Sequence, residues 1–174
     1  MKPFIFLGLA ASVSILWAES AGGIHWSAPV GWEAQAQRPM RAATYRVPRV
    51  AGDSEDGECA VFFFGAGQGG SVDANVKRWT GQFELEGGRP ADKTAKITKD
   101  SISGLPVTRI DVSGTYLASA GPMAPAAVRK PGYRLLGAIV EGPGGNVFFK
   151  FTGPAKTVAA AQPQFEALLK TVKR

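Results

Sequence analysis

One cysteine and one histidine in 174 residues exclude a good deal of chemistry. Cys59 cannot form an internal disulfide, so packing alone must hold the chain together. It sits in the run Cys59-Ala60-Val61-Phe62-Phe63-Phe64, where a thiol behaves as a small apolar side chain. With His25 alone, a multi-histidine zinc centre is impossible. A Ser-His-Asp or Cys-His arrangement would have to recruit that same residue. Between Ile24 and Trp26 on a short strand, His25 reads instead as the outward member of an alternation. No motif marks a pair of carboxylates for acid–base work, so no catalytic residue, metal or cofactor is assigned, and a non-enzyme is expected. A second long apolar run is missing as well, which argues against a transmembrane segment beyond the amino-terminal region. There is no internal repeat and no linker.

That amino-terminal region is the most informative stretch present. Lys2, the apolar residues Phe4 to Trp17 and the small residues Ala18, Ser20 and Ala21 follow the order a secretory signal peptide needs. The apolar stretch falls short of the about 20 residues of a membrane helix. A cut after Ala18 or Ser20 is expected, giving a signal over 1–20 and a single domain over 21–174, exported to the periplasm or beyond. No cysteine near the cut suggests a lipid anchor. The net charge is +6, and outside the cytoplasm this favours anionic envelope surfaces or acidic partners over nucleic acid. The basic residues are spread along the chain, as a solvated exterior requires.

Hydrophobic residues make up 45% of the chain and aromatics 10%, enough for a real core. Strands are expected at Ile24 to Ser27, Ala42 to Val50, Cys59 to Phe64, Lys93 to Thr98, Pro106 to Leu117, Tyr133 to Glu141 and Val147 to Phe151. In the last of these Val147, Phe149 and Phe151 share a face. Pro29-Val30-Gly31-Trp32 turns out of the first strand, with Trp32 expected as a plug on the sheet end rather than an exposed anchor. Ser71 is placed to cap a helix whose stripe is Val72, Val76, Trp79 and Phe83, stopped by Gly87-Gly88. A last helix begins near Pro154 and carries Val158, Phe165, Leu168, Leu169 and Val172, with a kink or restart at Pro163. Ala118 to Gly132, rich in proline, reads as a long loop. Strands joined by tight turns argue for an α+β domain, an antiparallel sheet flanked by helices.

Gly65-Ala66-Gly67-Gln68-Gly69-Gly70 matches the dinucleotide pattern GxGxxG between a strand and a helix. The acidic residue that should follow about 20 residues later is replaced by Gly87-Gly88-Arg89-Pro90, so the glycines read as backbone freedom at a sharp turn. A small anion at this helix start remains the second functional reading, with Gly67, Gly69, Gly70, Ser71, Asn75 and Arg78 as its residues. Asp53, Glu55, Asp56 and Glu58 resemble a calcium loop, but Gly57 is fifth where sixth is needed, and a solvated loop is expected. The Ala118 to Gly132 stretch, with Arg129 and Lys130, and the helix side near Asn75 and Arg78 are the expected partner surfaces.

With the export signal, the Pro29–Trp32 turn, the Arg78-Trp79 and Gln82-Phe83 pairs and the closing helix with Phe165, the chain resembles the PsbP/Mog1-like superfamily. Within it, the chain looks most like uncharacterised exported bacterial proteins of that fold. The resemblance implies an α/β/α sandwich and a non-enzymatic binding or assembly role; with the export signal, the expected module acts at the cell envelope on an envelope protein, or in the second reading on a small anionic ligand at Gly67 to Ser71. Only Pro29, Gly31 and Trp32 carry over, as structural residues; a shared fold leaves the partner to be argued from the site.

Overall fold

Alternation of apolar side chains along the strands builds one antiparallel sheet with an apolar cluster on each face. The computed structural model describes residues 18–119 and 127–174. The stretch read as a leader up to Trp17, and the centre of the expected loop at 120–126, lie outside the described residues. The elements are β1 (Ala18–Ala21), β2 (Ile24–Ser27), β3 (Glu33–Ala34), β4 (Arg41–Val47), β5 (Gly57–Phe63), α1 (Val72–Thr80), β6 (Phe83–Glu84), β7 (Lys96–Ile102), β8 (Leu105–Ala118), β9 (Val128–Gly142), β10 (Gly145–Pro154) and α2 (Ala155–Lys170). The main sheet runs β3-β4-β5-β10-β9-β8-β6, with β7 also paired to β8. Every pairing is antiparallel, and β1 and β2 form a separate hairpin. No helix among the described residues is long and apolar enough to cross a membrane.

The period of two divides β10 between the clusters. Val147, Phe149 and Phe151 join Trp26, Tyr45 and Val61 beneath α2, whose Val158, Phe165, Leu168 and Leu169 close that side. Phe148 points the other way, to Trp79 of α1 and to Phe83, Ile110, Leu135 and Ile139. Trp32 plugs the sheet end as expected: its ring lies 5.2 Å from that of Phe151, and its Nε1 donates to Gln164 at 3.1 Å. The amino end of α2 has no cap of its own. Asp53 reaches across to accept from the Thr157 backbone N–H at 2.9 Å and its hydroxyl at 2.6 Å.

Three expectations are corrected. The first helix ends at Thr80, not at Gly87-Gly88: the Gly81 N–H closes onto the Lys77 carbonyl and the Gln82 N–H onto that of Trp79. Phe83 is buried, as its place on the stripe suggested, but through β6, where it pairs with Tyr116 of β8. The stretch from Ala118 to Gly132 is not one loop: β8 runs to Ala118 and β9 begins at Val128. Pro131 is accommodated where the β8–β9 register shifts between Gly114 and Tyr116, so no ladder bond needs its missing N–H. Finally, α2 does not restart at Pro163 but continues through it as one helix. Buried residues on both sides of the proline, from Val158 to Leu169, hold the helix against the sheet and outweigh the lost backbone donor.

Candidate functional site

On the α1 face, Lys150 follows Phe148 at the next position of the same side of β10 and sits opposite Ala60 of β5 and Gly137 of β9. A lysine there is surrounded by rings. Its ammonium lies 5.9 Å from the Trp79 ring centre and 5.4 Å from that of Tyr116. It donates to Gln82 Oε1 at 2.6 Å and approaches the Tyr116 hydroxyl at 3.4 Å, which is too long for a strong bond. Neither acceptor carries a charge. Desolvation, reinforced by the positive fields of Arg78 and Arg41, lowers the Lys150 pKa to about 8, against a smaller opposing effect from Glu58.

Around this ammonium, Phe62, Phe64, Arg78, Trp79, Gln82 and Phe148 line a cleft of about 170 Å³. Each wall has a sequence reason. Phe62 and Phe148 are register partners on neighbouring strands, and Phe64 continues the Phe62 face, its ring stacked at 6.1 Å. Trp79 can lie against the sheet only because residue 137 is glycine; a Cβ there would come within 2.6 Å of the indole. Arg41 lies over the Phe62 ring at 5.3 Å and pairs with Glu58 at 2.9 Å. Glu58 is also held by Arg38 at 3.4 Å. Positive charge therefore exceeds negative at the cleft.

The glycine-loop residues support this cleft from behind. Gly69 has φ +85, and a Cβ on it would stand 2.6 Å from Phe64 and 3.0 Å from Phe148, so its bareness lets the two rings close. A Cβ on Gly67 would meet nothing within 4 Å, and one on Gly70 only the Asn75 amide at 3.5 Å; both need glycine for their positive φ. Ser71 Oγ is committed to the Ala74 N–H at 3.2 Å. Asn75 is buried, donates to the Gly69 and Ser71 carbonyls at 2.8 and 2.9 Å, and accepts from the Arg78 guanidinium. The loop thus orients Arg78 toward the cleft. Its helix leads into β6, which pairs antiparallel with β8, whereas a dinucleotide unit returns to a parallel strand.

Arg129 and Lys130 stand apart at the start of β9. Arg129 pairs with Glu84 at 2.6 Å and Lys130 with Glu55 at 2.6 Å, so their charge is locally balanced. The Lys130 hydrogen bond lowers the Glu55 pKa. The remaining loop acids are likewise engaged: Asp53 with Thr157, Asp56 with Arg46 at 2.7 Å, Glu58 with Arg41. Among the described residues no three His, Cys, Asp or Glu side chains group to hold a metal ion. Cys59 is fully buried, which pushes its thiol pKa up and leaves it inert.

The sequence reading assigned no site role to Lys150, Phe62, Phe64, Phe148, Gln82 or Tyr116. The available signal was a lone lysine inside Val147-Phe148-Phe149-Lys150-Phe151, on the face opposite the one followed.

An antiparallel sheet between two helices makes the chain an α+β protein, and its fold is PsbP-like. The solution structure of cyanobacterial PsbP (CyanoP) from Synechocystis superposes with a TM-score of 0.54 at 12% identity, covering 96% of this chain and 98% of that one. PA94 of Pseudomonas aeruginosa, a protein of unknown function, gives 0.50 at 11% identity over 91% and 96%. At these identities the likeness is one of fold. No family model and no curated protein matches the sequence.

Proposed function

We propose that this chain is an exported, non-enzymatic binding module of the cell envelope that takes up a small anion at the Lys150 cleft. The observation that carries the reading is Lys150 itself: an ammonium withdrawn from water, hydrogen-bonded to neutral groups and accompanied by Arg78. A desolvated charge without a counter-charge is costly, and an anion supplied from outside would relieve that cost. The acid that acts on Lys150, Glu58, is already held by two arginines. Drug-sized ligands occupy about 300–1,000 Å³, so a cleft of about 170 Å³ fits a compact molecule rather than a nucleotide. This reading moves the anion from the glycine loop to the cleft, with the loop as scaffold and Arg78 as the shared residue.

Two measurements test this. Cell fractionation followed by intact mass should find the chain outside the cytoplasm without its leader; a cytosolic chain with the leader intact overturns the export reading. Thermal melts against compact anions and neutral analogues should show stabilisation by an anion that Lys150→Met abolishes. Equal stabilisation of that variant overturns the site.

A further inference from the structure

Resting on the reading of the cleft as an anion site, we propose that its ligand is a small aromatic monocarboxylate. The carboxylate lies between Lys150 and Arg78, and the ring lies among Phe62, Phe64, Trp79 and Phe148. Three features of the cleft select this class over inorganic phosphate or sulfate.

Donor supply comes first. Lys150 has three N–H donors; Gln82 takes one well and Tyr116 engages another at long range. Arg78 spends one nitrogen on Asn75 and, being exposed, keeps the rest of its fork free. Two cationic donors with open capacity suit the two oxygens of one carboxylate. A tetrahedral dianion would keep further oxygens facing rings, where its lost hydration is not replaced.

The walls provide the second feature. Phe64 stands edge-on to Phe148 at 5.7 Å, and Trp79 edge-on to the same ring at 6.4 Å, leaving ring faces and edges at differing tilts around the space. Another flat ring inserted there gains both apolar burial and favourable ring–ring geometry. An acid with no ring, such as acetate, would use the cations and leave those walls wet.

Rigidity is the third. Gly137 and Gly69 allow Trp79, Phe64 and Phe148 to close on the sheet, and buried Asn75 fixes Arg78, so the pocket is formed before the ligand arrives.

Isothermal titration of the mature chain with benzoate, benzamide, acetate and inorganic phosphate tests the assignment. Benzoate should bind about tenfold or more tightly than neutral benzamide, the difference expected for a charge-assisted hydrogen bond, and more tightly than acetate. Lys150→Met should weaken benzoate about tenfold, and Arg78→Gln, at an exposed position, should weaken it several-fold. Arg78→Gln keeps the test decisive should the Lys150 variant fold poorly. Benzamide binding as well as benzoate, or benzoate affinity unmoved by both substitutions, overturns the assignment. Phosphate binding lost in Lys150→Met, with benzoate inert, overturns the ligand class while leaving the anion site standing. Inertness toward all the anions removes both.

Discussion

Replacing Lys150 by methionine should stabilise the protein, and the gain should depend on pH. The ordinary lysine pKa of 10.5 falls to about 8 in the folded chain, mainly through desolvation and then through the fields of Arg78 and Arg41. At about 1.4 kcal/mol per pKa unit the shift corresponds to about 3 kcal/mol against the charged form. Lys150 is only half-buried, so screening at the open mouth of the cleft reduces this to about 2 kcal/mol. Below pH 8 the ammonium is charged in both folded and unfolded chains, and the whole penalty is felt. Between about 8 and 10.5 the folded chain releases the proton that the unfolded chain keeps, so stability contributed by this residue rises with pH. Methionine is of similar length, packs against Trp79 and Tyr116, and carries no such penalty. Urea unfolding of both proteins at about pH 6, 8 and 10 should show the variant ahead by about 2 kcal/mol at the lowest pH and the gap nearly closed at the highest. Burial also raises the pKa of Cys59 and Tyr116, but these groups titrate in both proteins and cancel in the difference. A gap that stays constant with pH, or a variant less stable at pH 6, would refute the claim that the ammonium is a desolvated, unpaired charge.

Four further outcomes are expected. Gly69→Val places a branched side chain at φ +85 and into Phe64 and Phe148, costing roughly 2–4 kcal/mol and abolishing anion binding; chemical denaturation and titration read both. Asp53→Ala removes the cap supplied to α2 through Thr157, a loss of about 1–2 kcal/mol that should lower the melting temperature by roughly 3–6 °C. The double change Arg129→Ala with Lys130→Ala breaks two partly exposed ion pairs and should cost no more than about 1 kcal/mol; a larger fall in calorimetry would mean those pairs organise β9. Intact mass of any chain recovered outside the cytoplasm should place its first residue at Glu19. The buried Tyr45 hydroxyl, which takes the Trp26 N–H at 2.9 Å, gives its own proton to Glu19 at 2.6 Å, so a start at Ala21 would count against this use of β1.

How much was legible depends on the range over which each feature is encoded. Ser71 and the apolar stripe after it located α1, because caps and helical period act within a turn or two. The helix end was misplaced because Phe83 satisfies both a helical spacing and a strand pairing, and only β8 decides between them. Pro131 suggested a loop, since whether a missing donor matters depends on a register shift in the partner strand. The glycine loop was correctly seen as a point of backbone freedom, yet the reason for Gly69 lies in two rings that the loop meets only after folding.

Local order in the chain therefore settled most of the elements and the antiparallel sheet between helices, since each follows from residue type and short spacing. The cleft is another matter. Phe62, Phe148 and Lys150 become neighbours through pairing of strands some 85 positions apart, and Trp79 and Arg78 join them only when α1 lies across that sheet. Desolvation, the property that makes Lys150 worth attention, is produced by this enclosure and is carried by no stretch of sequence alone.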